Sequence, residues 1–128
     1  MEPYKLVLSV LEETFSIHRL APDASLPEAV SECDFYSLSK TPDELSLLCP
    51  EHLVVKSEKS NPDWKCLKVA GPLDFELTGI LAGITEVLAK EKFSVFAIST
   101  FDTDYILIKK HGLTAAISAL ERAGYQFN

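Results

Sequence analysis

The sequence predicts an α+β fold built as two small units of strand-helix-strand-strand-helix-strand order, with antiparallel sheets carrying helices on one face. Three observations predict it. The second half contains two stretches of helical apolar periodicity, separated and flanked by apolar runs of strand length. The first half repeats that order more faintly. The chain is 128 residues long and 47% apolar, enough for a core but too short for a large catalytic α/β domain beside a second one.

The second half reads most clearly. Residues 64–70 alternate, with Trp64, Cys66 and Lys68 on one side and Lys65, Leu67 and Val69 on the other. Gly71 and Pro72 end that strand. Leu77, Ile80, Leu81, Ile84, Val87 and Leu88 then fall on one helical stripe, with Thr78 as the expected cap and Gly79 in the first turn. Residues 93–100 and 104–109 read as a strand pair joined by a tight connection at 101–103. Leu113, Ala116, Ile117 and Leu120 mark a second amphipathic helix, which Gly124 is placed to end. Residues 125–127 form a short final strand.

The first half reads as strands at 5–10 and 14–20, a helical turn near Leu26 and Val30, and a hairpin of 35–39 and 45–48 around Pro42. A short helical turn is expected at 50–52. The polar stretch 56–63 (KSEKSNPD) has no periodic apolar face and reads as a linker or exposed loop. The expected boundaries are therefore 1–63, a degenerate unit with linker 56–63, and 64–128.

Net charge is −7, and all of it falls on residues 1–64, which hold 12 acids and 5 bases against 7 of each beyond them. That balance disfavours nucleic acid and anionic membrane surfaces, which are bound by neutralising phosphates with Lys and Arg. Cys33, Cys49 and Cys66 are odd in number and widely spaced. They suit core packing in a reducing compartment rather than a disulfide framework or a zinc site. The start of the chain shows neither a leader pattern nor a membrane span, so a cytoplasmic location is expected.

Two segments carry chemistry. At 71–80 (GPLDFELTGI) a polar loop runs into a helix start, where first-turn N–H groups lack intrahelical partners and can bind a carboxylate. Asp74 and Glu76 lie just before them and suit an ammonium group, so the pair of features fits a zwitterion. At 99–105 (STFDTDY), Asp102 and Asp104 either meet a basic or amino ligand or hold the turn. A third convergent metal ligand is missing there, so no metal is expected. His18, His52 and His111 have no partner at ligand spacing and read as packing or surface residues. Nucleophile-elbow, phosphate-loop and dinucleotide motifs are all missing, and no cofactor is expected.

Residues 64–124, from WKCLKVAGPLDFELTGILAGITEVLAKEKFSVFAISTFDTDYILIKK into HGLTAAISALERAG, resemble the ACT-domain family, and within it small tandem-ACT proteins related to cytosolic arginine sensors. TFSIHRLAPDASLP and FYSLSKTPDELSLLCPE extend the resemblance over most of the chain. The resemblance implies two ferredoxin-like (βαββαβ) ACT-type subdomains and a non-catalytic regulatory or sensor protein that holds an amino acid at an ACT–ACT interface. It places the ligand at Asp74, Thr78, Gly79, Ile80, Thr100 and Phe101, with Asp102 and Asp104 beside them. A homo-oligomer, a dimer in the simplest case, and a protein partner are implied with it. The alternatives are an interaction module that kept the fold without a ligand, and a small enzyme using Asp74 or the Asp102/Asp104 pair.

Overall fold

The computed structural model describes residues 6–70 and 78–128. Expectations that fall on residues 1–5 and 71–77, those for Asp74 and Glu76 included, lie outside the described residues. In chain order the elements are β1 (Val7–Leu20), α1 (Glu28–Glu32), β2 (Ser37–Lys40), β3 (Leu45–Pro50), β4 (Lys59–Val69), α2 (Ile80–Lys90), β5 (Phe96–Ser99), β6 (Asp104–Lys109), a 3-10 turn (Lys110–Gly112), α3 (Leu113–Arg122) and β7 (Gln126–Phe127).

The strands form one seven-stranded sheet in the order β2-β3-β1-β4-β6-β5, with β7 pairing β1. This corrects the expectation of two separate ferredoxin-like ACT-type subdomains, each with its own sheet. Residues 7–20 contain no Gly or Pro, so the polar Glu12-Glu13 step does not break the strand. β1 runs unbroken where two strands were expected. It pairs antiparallel with β3, from Phe15 opposite Pro50 to Leu20 opposite Leu45. At its start it pairs in parallel with β7, Val7 opposite Gln126. Residues 51–52 form a turn rather than a helix, so the first half has α1 and no second helix among the described residues. The expected linker is loop only as far as Glu58, because β4 begins at Lys59.

The chain divides into two compact units, Met1–Glu12 with Lys65–Asn128, and Glu13–Trp64. In the first, Leu8, Leu67, Val69, Ile106 and Ile108 on the strands pack with Ile84 and Leu88 of α2 and Ala116 and Leu120 of α3. Of the helical stripes read from the sequence, Ile80, Leu81, Ile84, Val87 and Leu88 of α2 and Leu113, Ala116 and Leu120 of α3 meet this core, and Leu77 lies outside the described residues. Each fully buried Leu or Ile contributes about 1.5–3 kcal/mol relative to exposure. Gly124, at φ 105°, takes the left-handed position just past α3, as expected of a glycine stop. In the second unit, Leu20, Leu45, Leu47 and Cys49 surround Val30, the one buried residue of α1. Phe15 and Phe35 meet edge to face at a centroid distance of 5.6 Å.

All three cysteines are free thiols. Burial pushes the Cys66 thiol up to about 12 and the Cys49 thiol up to about 11, leaving both as inert packing groups. No described helix is long and apolar enough to cross a membrane.

Candidate functional site

The expected helix start is present, with a different cap. α2 begins at Ile80, and its N-cap is Gly79 itself, at φ 79° and ψ 1°, with no side-chain cap hydrogen bond among the described residues. Thr78 therefore does not cap the helix. A left-handed cap position excludes a Thr-type side chain, and glycine occupies it without strain. The first intrahelical bond runs from Gly83 N–H to the Gly79 carbonyl at 2.9 Å. The N–H groups of Ile80, Leu81 and Ala82 are left with no acceptor within the helix. A Cβ placed on Gly79 would meet nothing within 4 Å, so the positive φ rather than crowding selects glycine there.

The second segment, residues 99–104, is a tightly bonded turn. Thr100 N–H donates to the Thr103 carbonyl at 2.8 Å, and the Thr100 hydroxyl accepts from Thr103 N–H at 3.3 Å. The Ser99 hydroxyl donates to Asp104 Oδ1 at 2.6 Å, so this carboxylate holds the turn. Asp102 is exposed. Phe101 projects from the tip, 79% exposed. Thr103 points inward, and its hydroxyl donates to the Val69 carbonyl at the end of β4 at 2.7 Å. The sequence reading missed Thr103. Its signal is a single buried position in an otherwise polar, exposed turn, which cannot be seen before burial is known.

A chain of contacts runs from α2 to the end of β4. The Tyr125 hydroxyl lies 2.8 Å from where a Cβ on Gly83 would sit, in the first turns of α2. β7 follows Tyr125 directly and pairs with Val7 and Leu8. Val7 in turn accepts from Ala70 N–H at 2.8 Å. Val69, the neighbour of Ala70, holds Thr103.

The Glu13–Trp64 unit has its own concavity, an open groove of about 320 Å³ lined by Ile17, Arg19, Glu44, Ser46, Lys59 and Asn61 among others. Its central cation is already paired. Arg19 donates to Glu58 at 2.5 Å and to the Asp43 carbonyl at 3.0 Å, and Glu44 lies 4.0 Å away. Nearby in sequence, His18 is 92% buried by its 8% exposure. Its Nδ1 lies 3.0 Å from the Ser57 hydroxyl, and its Nε2 has no hydrogen-bond partner among the described residues. Burial lowers its pKa. Among the described residues no group of three His, Cys, Asp or Glu side chains could hold a metal ion.

An ACT-domain model matches residues 59–122, and a separate N-terminal-domain model matches residues 13–57. The chain belongs to the ACT-domain family. It carries one ACT domain and a distinct N-terminal domain, which corrects the tandem-ACT expectation. Cytosolic arginine sensors for mTORC1, subunit 1, are among its relatives. The Pongo abelii protein is 29% identical over 91% of this chain and 38% of its own length. The Homo sapiens protein is 35% identical over 57% and 22%. The chain thus spans about a third of the length of such relatives. A crystal structure of an Agobacterium tumefaciens protein is 29% identical with a TM-score of 0.88, covering 98% of this chain and 94% of that one. The aspartate kinase regulatory subunit of Thermus thermophilus shares the fold alone, at 11% identity and a TM-score of 0.64, over 91% of this chain and 96% of that one. ACT membership supports a non-catalytic, regulatory and ligand-binding role for this chain in general terms.

Proposed function

We propose that this ACT protein is an amino-acid-binding regulatory or sensor module whose ligand sits at Thr78, Gly79, Ile80, Thr100 and Phe101, between ACT domains of two chains. Asp74 and Asp102 complete the proposed set by their place in the sequence, with Asp104 at its edge. The observation that carries this reading is the start of α2, where a left-handed Gly79 is the N-cap and no side-chain cap bond is made among the described residues. The first-turn N–H donors and the helix dipole suit a carboxylate. Asp74 and Glu76, which precede them in the sequence, suit an ammonium group. Because one chain carries a single ACT domain, an ACT–ACT interface requires a dimer. Cytoplasmic residence and a protein partner that reads the liganded state belong to the same proposal, since a ligand biases whichever state it binds more tightly.

The test is calorimetry and thermal denaturation with each of the twenty L-amino acids, L-arginine first because the named relatives are arginine sensors. One or a few amino acids bind saturably. At a hundredfold excess over Kd the bound protein gains about 2.7 kcal/mol, a rise in Tm of a few degrees. A panel that produces neither heat nor a shift rejects the reading. Light scattering tests the dimer, and a 14.2 kDa species at all concentrations rejects it.

A second reading, an interaction module without a ligand, draws on the end strand β2. Leu38 on it and Tyr36 just before it are 42% and 40% exposed. End strands with exposed apolar side chains invite pairing. Strong self-association that Leu38→Lys abolishes, together with a silent amino-acid panel, selects this reading.

A further inference from the structure

The 99–104 turn holds its own shape through bonds within itself: Thr100 N–H to the Thr103 carbonyl, Thr103 N–H to the Thr100 hydroxyl, and Ser99 to Asp104. These bonds lie within the turn, whereas the Thr103 side chain bonds outside it. Ser99, Thr100, Phe101 and Asp102 are exposed, whereas Thr103 is 4% exposed. Its hydroxyl reaches 34 residues back along the chain to the carbonyl of Val69, the last residue of β4. A buried hydroxyl and a buried carbonyl each need a partner, so this bond is costly to break. It is also geometrically selective, because a 2.7 Å donor–acceptor distance leaves the turn little freedom to pivot about the start of β6.

We propose that Thr103 is the positioning residue of the ligand site, its buried hydroxyl fixing the turn that carries Thr100 and Phe101 against the C-terminal end of β4. Thr103 acts through that turn and does not touch the ligand. The inference rests on the reading of residues 78–80 and 99–104 as an amino-acid site and names what holds that site in register. The hydroxyl is the working group. Thr103→Val keeps the branched shape and leaves the Val69 carbonyl without its donor. Thr103→Ser keeps the donor and gives up a methyl group.

The experiment uses the full chain as wild type, Thr103→Val and Thr103→Ser. It combines amide hydrogen exchange without ligand and titration with the twenty L-amino acids. In Thr103→Val, exchange across residues 99–104 accelerates on the order of tenfold, the scale of one lost buried bond, while α3 stays at the wild-type rate. The amino acid that binds wild type loses affinity by a similar factor. Thr103→Ser stays close to wild type in both. Three results overturn the proposal: wild-type exchange at 99–104 in Thr103→Val, exchange raised equally through α2 and α3, or a serine variant as impaired as the valine one. If Thr103→Val binds the wild type's amino acid with unchanged affinity, the proposal falls and the site reading stands. If wild type binds none of the twenty, the site reading falls, and the role assigned to Thr103 falls with it.

Discussion

The two units build their cores by different means. In the unit of Met1–Glu12 and Lys65–Asn128, two helices of 11 and 10 residues lay apolar stripes on the strands, and ten buried residues form the cluster. In Glu13–Trp64 the one helix has five residues and buries only Val30, so the core is made mostly of strand side chains. All five glycines fall at position 71 or later. Close approaches of backbone to side chain, at Gly83 against Tyr125 and Gly112 against Phe93, therefore belong to the helical unit. The lesson is that helix-on-sheet packing demands small residues where layers meet, whereas a strand-built core is satisfied by alternation alone.

The largest expected effect tests whether the two cores are equally rigid. Leu88→Ala and Leu47→Ala each remove a fully buried side chain and each cost about 2–5 kcal/mol. Both should lower one shared thermal transition, since β1 and β4 each contribute residues to both units. Two calorimetric peaks, with each variant moving only one of them, would break that expectation. Next comes Gly112→Ala, whose Cβ would lie 2.4 Å from the Phe93 ring. The crowding costs about 1–3 kcal/mol in chemical denaturation. Phe93→Leu in the same background recovers part of it.

A pH titration separates the units further. Burial lowers the His18 pKa below the ordinary 6.5, so well above that pH the ring is neutral in both folded and unfolded chains and adds no pH dependence. As pH falls below 6.5 the unfolded chain takes up a proton that the folded chain refuses. Stability then declines until pH passes the folded pKa, below which the loss is complete. His18→Gln removes this part of the acid sensitivity, as measured by urea midpoints between pH 7 and 5. The smallest effect is expected at the surface. Arg19 and Glu58 are 41% and 52% exposed, so Arg19→Ala costs about 1 kcal/mol or less, and less in high salt.

Much of the helical unit was legible in the sequence, because helical periodicity is local. Ile80, Leu81, Ile84, Val87 and Leu88 announce both the helix and the face that it buries. The hairpin around Pro42 and the strand Asp104–Lys109 were legible for the same reason. The strand break expected near Glu12 was wrong because charged residues on an alternating strand look like a loop when pairing partners are unknown. At the site, Gly79 was placed in the first turn rather than at the cap, since φ is not written in composition. For Asp104 the sequence leaves ligand and turn both open, and the Ser99 hydroxyl that donates to its Oδ1 becomes visible only in the structure. Thr103 went unnoticed, because its role needs Val69, a residue that only strand order brings near.

By itself the sequence determined where the helices run, which of their faces are apolar, that the cysteines are not a disulfide framework, and the polar character of the 71–80 and 99–105 segments. These follow from spacing along a few turns of chain and from residue chemistry. Tertiary structure alone decided that all the strands share one sheet, that β7 closes on β1, that His18 is buried without a partner for Nε2 among the described residues, and that Thr103 ties its turn to β4. Strand pairing and buried hydrogen bonds join residues dozens of positions apart. Their energy comes from desolvation and geometry that exist only once the chain has closed on itself.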